Sequence, residues 1–324
     1  MRVATRANGH ADGELVLVSS GGERLLPVGG RFATLLAAKE QWDEAEREMQ
    51  GLAARLEAGE GDALDPGVLL APLPRAWQWL DGSAFPQHGE LMQRAFDLPP
   101  IETDRPLMYQ GMSDHFLPGH ADVLLPSEAD GIDFEGEFGV ITDAVPMGTC
   151  AEEAMKHIKL ILLINDWSLR TIAPIEMKTG FGWVQAKPAC SAGPLAVTPD
   201  ELGDAWKGGK VHLTLEVRLN GQWFGNPHGG EMALGFHELI AHAARTRHLA
   251  AGSIIGSGTV SNASYANVGS ACISERRAIE MIASGTPATP FLRFGDRVQM
   301  QVPGNHFGAL DQRVMGARQA DQRC

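Results

Sequence analysis

Cysteine is scarce in this 324-residue chain, and its four copies, Cys150, Cys190, Cys272 and Cys324, lie far apart with no paired spacing. Neither a thiolate zinc motif nor a disulfide framework is indicated. Basic residues are also in deficit. Lys and Arg total 27 against 40 Asp and Glu, a formal charge of -13, which argues against nucleic acid or an anionic membrane surface as the main partner. Long apolar runs are missing: the longest, Leu160 to Ile164, is far too short to span a bilayer. The opening Met-Arg-Val-Ala-Thr-Arg-Ala-Asn-Gly-His has no apolar signal core, so the cytoplasm is the expected compartment. No repeat or low-complexity segment is apparent, and the length fits roughly two domains.

What is present is ordered by turn signals. Residues 13–28 predict a hairpin of two short strands joined at Gly21-Gly22. Leu35, Leu36, Trp42, Ala45, Met49, Leu52 and Leu56 then recur near helical spacing over 31–57, ending in the Gly/Asp-rich stretch from Gly59 to Gly67. A boundary near residue 70 gives a small N-terminal α+β domain, 1–70, and a larger domain, 71–324. From Leu69 onward, short Val/Ile/Leu-rich segments alternate with Gly, Pro and Asp clusters, the pattern of a many-stranded, bent β structure with few helices. Thr149 and Glu152 are spaced as a capping box, so a helix is expected from there. It should run into a buried strand through Leu160–Ile164 that delivers Asp166 at its end. A second helix is expected over 235–249, and the polar tail after Val314 should fray.

The chemistry centres on acids. Glu135 and Glu137, in Asp-Phe-Glu-Gly-Glu-Phe-Gly-Val, are two residues apart in a segment that reads as a strand, so both carboxylates point to one face. Such a pair is either solvent-facing or held together by a cation or a proton. Asp166 follows an apolar run, where a buried charge needs a partner. Asp81, before Gly82, is a second candidate, with a turn-forming role as the alternative. Oxygen-only donors suit Mg²⁺, Ca²⁺ or Mn²⁺ better than zinc or copper. Arg170 and Lys187 could offset surplus negative charge. His88, seven residues after Asp81, could serve as a general base, though a lone histidine is more often satisfied by a backbone carbonyl. Two motifs are set aside. His237 and His242 are five apart, so at about 100° per residue they diverge by roughly 140° and do not form a zinc-protease pair. Gly256-Ser-Gly258 lacks the third glycine of a dinucleotide fingerprint.

Taken together, several segments resemble the fumarylacetoacetate hydrolase family: Asp133-Phe-Glu-Gly-Glu-Phe-Gly-Val, Asn165-Asp-Trp-Ser-Leu-Arg170, Lys187 in Gln-Ala-Lys-Pro, Gly256-Ser-Gly-Thr-Val-Ser261, Pro106-Leu-Met-Tyr109-Gln-Gly-Met-Ser, and the spacing from Asp81 to His88. The match covers most of residues 70 to 302. The resemblance implies a mainly β fold with helices (α+β), a mixed β-sandwich roll with a small N-terminal domain, in which 71–324 is the metal-dependent catalytic part. It implies Mg²⁺ or Ca²⁺, with Mn²⁺ as a third option, held by Asp81, Glu135, Glu137 and Asp166. Catalysis would fall to His88, oriented by Glu275, with Lys187 and Arg170, and substrate contacts to Ser83, Tyr109, Gly258 and Thr259.

The chain departs from the animal enzymes at Ser83, where they carry a tyrosine, at Ala173, where they carry a glutamine, and at Met177, where another tyrosine falls. By resemblance the expected activity is hydrolysis of a carbon-carbon bond in fumarylacetoacetate or a related β-diketo acid of the acylpyruvate type, in aromatic-compound or tyrosine breakdown, by a homodimer. The alternatives are a 2-keto acid decarboxylase or hydratase on the same scaffold, and a non-catalytic metal-binding homologue.

Overall fold

The two most apolar runs of the chain, Gly136–Thr142 and Ile158–Asn165, pair antiparallel, with Gly136 opposite Asn165 and Phe138 opposite Leu163. Every residue of the first strand is buried, as a continuous rather than alternating apolar pattern requires of a strand covered on both faces. Its neighbours sort into two cores by parity: Phe138, Val140, Ile161 and Leu163 face one, while Ile141, Leu160, Leu162 and Ile164 face the other. A computed structural model of the chain describes residues 1–97, 99, 103 and 105–317.

The main sheet runs in the order Asp62–Ala63, Arg24–Pro27, Glu14–Val18, Arg2–Arg6, Ala196–Val197, Ile158–Asn165, Gly136–Thr142, Ile254–Gly256, Trp79–Gly82, Met108–Gly111. A second sheet joins Gln222–Gly225, Glu216–Leu219, Arg297–Gln301, Leu310–Gly316 and Val123–Leu125. The chain therefore has the expected α+β architecture. The predicted hairpin is present as Glu14–Val18 and Arg24–Pro27, and a strand not foreseen, Arg2–Arg6, links it to the central strands through Ala196–Val197. Helix Trp42–Glu57 buries Trp42, Ala45, Met49 and Leu56 against the second core.

Several local expectations need correction. The helix predicted over 31–57 is broken at Gln41, whose φ of -135° and ψ of 50° are not helical, into Leu35–Glu40 and Trp42–Glu57. The capping box is not formed. The Thr149 hydroxyl donates to the Pro146 carbonyl instead (2.7 Å), and the α-helix extends only over Ala151–Ala154. The later helix is Phe236–Ala243, shorter than 235–249. Among the helices not foreseen, Pro86–Phe96 and Ile273–Ser284 carry residues of the site. Fraying does not begin at Val314, because the last strand continues to Gly316; the end of that tail, with Cys324, lies outside the described residues. Cys150, Cys190 and Cys272 are free. No described helix is long and apolar enough to cross a membrane.

Candidate active site

Asp81 sits on the strand Trp79–Gly82, between a parallel partner that sets Gly256 beside it and an antiparallel partner that sets Tyr109 beside it. A side chain at 256 would overlap the Asp81 carboxylate, so glycine leaves that oxygen its room. Gly258 follows at a φ of 77°, the left-handed region that glycine enters without steric cost, and from there its N–H donates to Asp81 Oδ1 (3.1 Å).

Glu137 projects from the central strand, and Asp166 follows the neighbouring one, its N–H donating to the Glu135 carbonyl (2.9 Å). One carboxylate oxygen from each of Asp81, Glu137 and Asp166 lies within 4.8 Å of the others, and all three residues are buried. The donors are distributed unevenly among them. Asp166 Oδ2 accepts from the Tyr109 hydroxyl (2.6 Å) and from Lys187 Nζ (2.6 Å), while Oδ1 faces the Cys190 thiol (3.0 Å). Neither oxygen of Glu137 receives a hydrogen bond from an ammonium, guanidinium, hydroxyl or backbone N–H; the group within reach is the Asp81 carboxyl, with which it can share a proton. Burial, with the charge of Asp166 beside it, pushes Asp81 up to about 8. Burial and then the charges of Asp81 and Asp166 hold Glu137 well above the usual carboxylate range. Such a cluster keeps protons or takes up a cation.

Glu135 is in a different state. Its Oε1 accepts from Lys187 Nζ (2.7 Å) and the Ser168 hydroxyl (2.5 Å) and pairs with Arg170 (3.0 Å), while Oε2 accepts from the Thr259 hydroxyl. Burial alone would raise its pKa, but Arg170 and Lys187 outweigh burial and hold it well below the ordinary value. Of the four carboxylates expected from the sequence, three therefore converge, and Glu135 lies beside them already supplied with donors. Five buried carboxylates in this region, counting Asp133, face the two cations Lys187 and Arg170. Burial works against a charge on Lys187, but Asp166 and Glu135 beside it outweigh burial and keep the ammonium firmly protonated.

His88, on helix Pro86–Phe96, places Nδ1 3.0 Å from Glu275 Oε2. Glu275 is fully buried on helix Ile273–Ser284, and its Oε1 has no hydrogen-bond partner. The imidazole is close enough to the acids that a charge on it acts on Glu135. Ser83 is exposed, its N–H bonded to the Leu107 carbonyl (2.9 Å), and Met177 lies exposed on the short helix Ala173–Thr179. Sequence reasoning gave no role to Trp183, whose ring packs edge-on against Tyr109 at 4.8 Å, nor to Ser168, Cys190 or the side chain of Asp133. Ser168 and Asp133 stand inside motifs that were singled out; Cys190 had no local signal.

Three convergent buried acids that could hold a divalent cation thus lie beside a lysine and a His–Glu pair, and the fold that carries them has known relatives. Residues 78–315 match the family model described as fumarylacetoacetate (FAA) hydrolase C-terminal, and residues 1–75 match fumarylacetoacetase N-terminal domain 2. The chain belongs to the fumarylacetoacetate hydrolase family. It is 23% identical over 250 residues to oxaloacetate tautomerase YisK of Bacillus subtilis, covering 76% of this chain and 72% of that protein. It is 26% identical to 2,4-didehydro-3-deoxy-L-rhamnonate hydrolase of Sphingomonas sp. over 49% of this chain, a match that spans 54% of that protein. Maleylpyruvate hydrolase from Sphingobium sp. SYK-6, solved with manganese(II) and pyruvate, superposes with a TM-score of 0.67 at 14% identity, over 98% of this chain and 100% of that one. Relatives thus include both hydrolases and a tautomerase.

Proposed function

We propose that this protein is a divalent-metal-dependent hydrolase that cleaves the carbon-carbon bond of a β-diketo acid of the acylpyruvate type, with fumarylacetoacetate as one member of that class. The observation that carries the proposal is the His88–Glu275 pair standing beside three convergent buried carboxylates, one of which, Glu137, is reached by no lysine, arginine, hydroxyl or N–H donor. Asp81, Glu137 and Asp166 would hold the cation, with Glu135 alongside. Two buried oxygens on Glu137 that no such donor reaches and the surplus of carboxylates over cations fit Mg²⁺, Mn²⁺ or Ca²⁺. A bound cation would stabilise the negative charge that develops on the dicarbonyl oxygens.

The remaining roles belong to the side chains. With Nδ1–H donated to Glu275, His88 keeps a lone pair on Nε2 and takes a proton from water as that water adds to the substrate carbonyl. When the carbon-carbon bond breaks, its electron pair leaves as an enolate, and His88 returns the proton to it. Lys187 holds Asp166 and Glu135 in place and contributes a fixed positive charge beside the reacting oxygens. Arg170 acts on Glu135. Tyr109 orients Asp166, and Thr259, Gly258 and Ser83 border the substrate side. The family resemblance adds a homodimer in aromatic-compound or tyrosine catabolism as the setting.

A keto-enol tautomerase is the second reading. It needs the same proton-carrying pair and no water, and the tautomerase relative covers three quarters of this chain. The test uses His88→Ala in the Mn²⁺-loaded protein against an acylpyruvate panel and oxaloacetate. Hydrolysis should fall by a factor of about 10²–10⁴ while Mn²⁺ binding persists. Unchanged hydrolysis in the variant sinks the assignment, and wild-type tautomerisation of oxaloacetate with no acylpyruvate cleavage replaces it by the second reading.

A further inference from the structure

Asp133 is wholly buried, and both of its oxygens are fully used. Oδ1 accepts from the N–H groups of Phe134 (2.8 Å) and Ile273 (2.7 Å). Oδ2 accepts from the N–H of Ser274 (2.9 Å) and from Arg170 Nε (2.8 Å). Ile273 and Ser274 open the helix Ile273–Ser284 that carries Glu275. The first N–H groups of a helix have no partner within it, and a carboxylate placed there satisfies them and also meets the positive end of the helix dipole. The cap is therefore supplied across the fold, from a residue 140 positions earlier in the chain. Cys272 completes it, its sulfur accepting from the Glu275 N–H (3.3 Å). The other arm of the Asp133 network runs through Arg170 to Glu135 Oε1 (3.0 Å).

We propose that Asp133 is a positioning residue that couples the two halves of the site: it fixes the helix that aims Glu275 at His88 and, through Arg170, the same carboxylate fixes Glu135 beside the cation-binding acids. The proposal rests on the hydrolytic role assigned above to the His88–Glu275 pair. A carboxylate is needed for it. An amide at this position would keep one acceptor oxygen for two donors, but would turn its NH₂ toward the Ser274 N–H and the Arg170 Nε–H, setting donor against donor. Because Glu275 reaches His88 across only 3.0 Å, a small rotation of the helix start is enough to open that hydrogen bond. Glu135 is less exposed to the change, since it keeps Lys187, Ser168 and Thr259.

The test compares wild type, Asp133→Asn, Glu275→Gln and the double variant in the full-length, Mn²⁺-loaded protein. In Asp133→Asn, kcat on an acylpyruvate should fall about 10- to 100-fold, the size of effect typical of residues that orient active-site groups. KM and the Mn²⁺ dissociation constant, read by electron paramagnetic resonance, should stay within about threefold, and in the Glu275→Gln background the same change should cost less than about twofold, because the two residues act through one contact. The His88 ring nitrogens, followed by ¹⁵N NMR, should move toward their position in Glu275→Gln.

An equal loss in both backgrounds, or His88 resonances left as in wild type, overturns the proposal and reduces Asp133 to a structural cap. If wild type cleaves no acylpyruvate, the hydrolytic reading fails, and the NMR comparison alone decides whether Asp133 positions the pair. Should Asp133→Asn not fold, Ser274→Pro removes one donor from the helix side while leaving the carboxylate intact. An undisturbed His88 signal in that variant counts against the proposal, and a displaced one supports it.

Discussion

Loading the site with Mn²⁺ should expel protons. In the metal-free protein Asp81 is pushed up to about 8 by burial and by Asp166, so at pH 7 it is largely protonated. Glu137 is raised in the same way, by burial and then by Asp81 and Asp166, and has no donor to favour its ionised form. Coordination requires ionised carboxylates. Binding one Mn²⁺ at pH 7 should therefore release protons, from Asp81 and from Glu137. The number should decline as pH rises through 8, where Asp81 has already lost its proton. Calorimetric titration in buffers of different ionisation enthalpy reads this number directly, as the slope of observed enthalpy against buffer enthalpy. Tight Mn²⁺ binding at pH 7 with no proton released would refute the reasoning, because it would mean that Lys187 and Arg170 suffice to keep all the acids ionised.

The same shifts fix the sign of a stability change. A carboxylate whose folded pKa lies above its unfolded value near 3.8 contributes stability that is present below that value and is lost as pH rises through its folded pKa. Glu135 works in the opposite sense, but its window lies below the ordinary carboxylate range. Asp81 and Glu137 therefore lower the stability of the metal-free protein as pH rises from 5 to 8. Because the buried Lys39, held well below its ordinary pKa, works in the opposite sense, their share is read as the difference in melting-temperature slope between wild type and Asp81→Asn, in which the melting temperature should fall less steeply. Mn²⁺ should flatten the slope. A slope left unchanged by Asp81→Asn would contradict the assigned environment of Asp81.

The parts of this protein legible in its sequence are those whose cause is local. The hairpin at Gly21-Gly22 and the acidic strand are set by turn chemistry and by period two, both contained in short windows. Helix Ile273–Ser284 was missed because its cap is Asp133, far away in sequence, and helix Pro86–Phe96 because its opening proline and internal Gly89 read as loop. Conversely, Thr149 and Glu152 offered a local cap that was not used, since the Thr149 hydroxyl found the Pro146 carbonyl first. The site divides in the same way. Spacing indicated that Glu135 and Glu137 would lie close, yet it carried nothing about how the donors would be shared. That is decided by where the strands and loops deliver Lys187, Arg170, Ser168 and Thr259, all of which reach Glu135 and leave Glu137 bare. The asymmetry between two glutamates two residues apart is a product of tertiary structure, and it identifies which of them has oxygens still available to a cation.

Two further substitutions probe the arrangement. Lys187→Met removes the ammonium from between Glu135 and Asp166, all nearly or wholly buried; breaking such a pair from one side should cost the metal-free protein about 3–5 kcal/mol in urea denaturation, and a loss below about 1 kcal/mol, typical of an exposed pair, would show that the lysine is not the partner described. Gly258→Ala tests the loop that carries the N–H bonded to Asp81. At a φ of 77° an alanine is strained, and its methyl group would overlap the Gly82 carbonyl, so the loop must retreat from the strand that bears Asp81. Stability should fall by about 1–3 kcal/mol, and Mn²⁺ affinity should fall with it, because the Asp81 carboxylate loses the donor that aims Oδ1. If Gly258→Ala destabilised the fold while Mn²⁺ bound as tightly as before, Asp81 would be held by its strand alone, and the close approach of residues 256–258 would be a packing feature with no part in presenting the carboxylate.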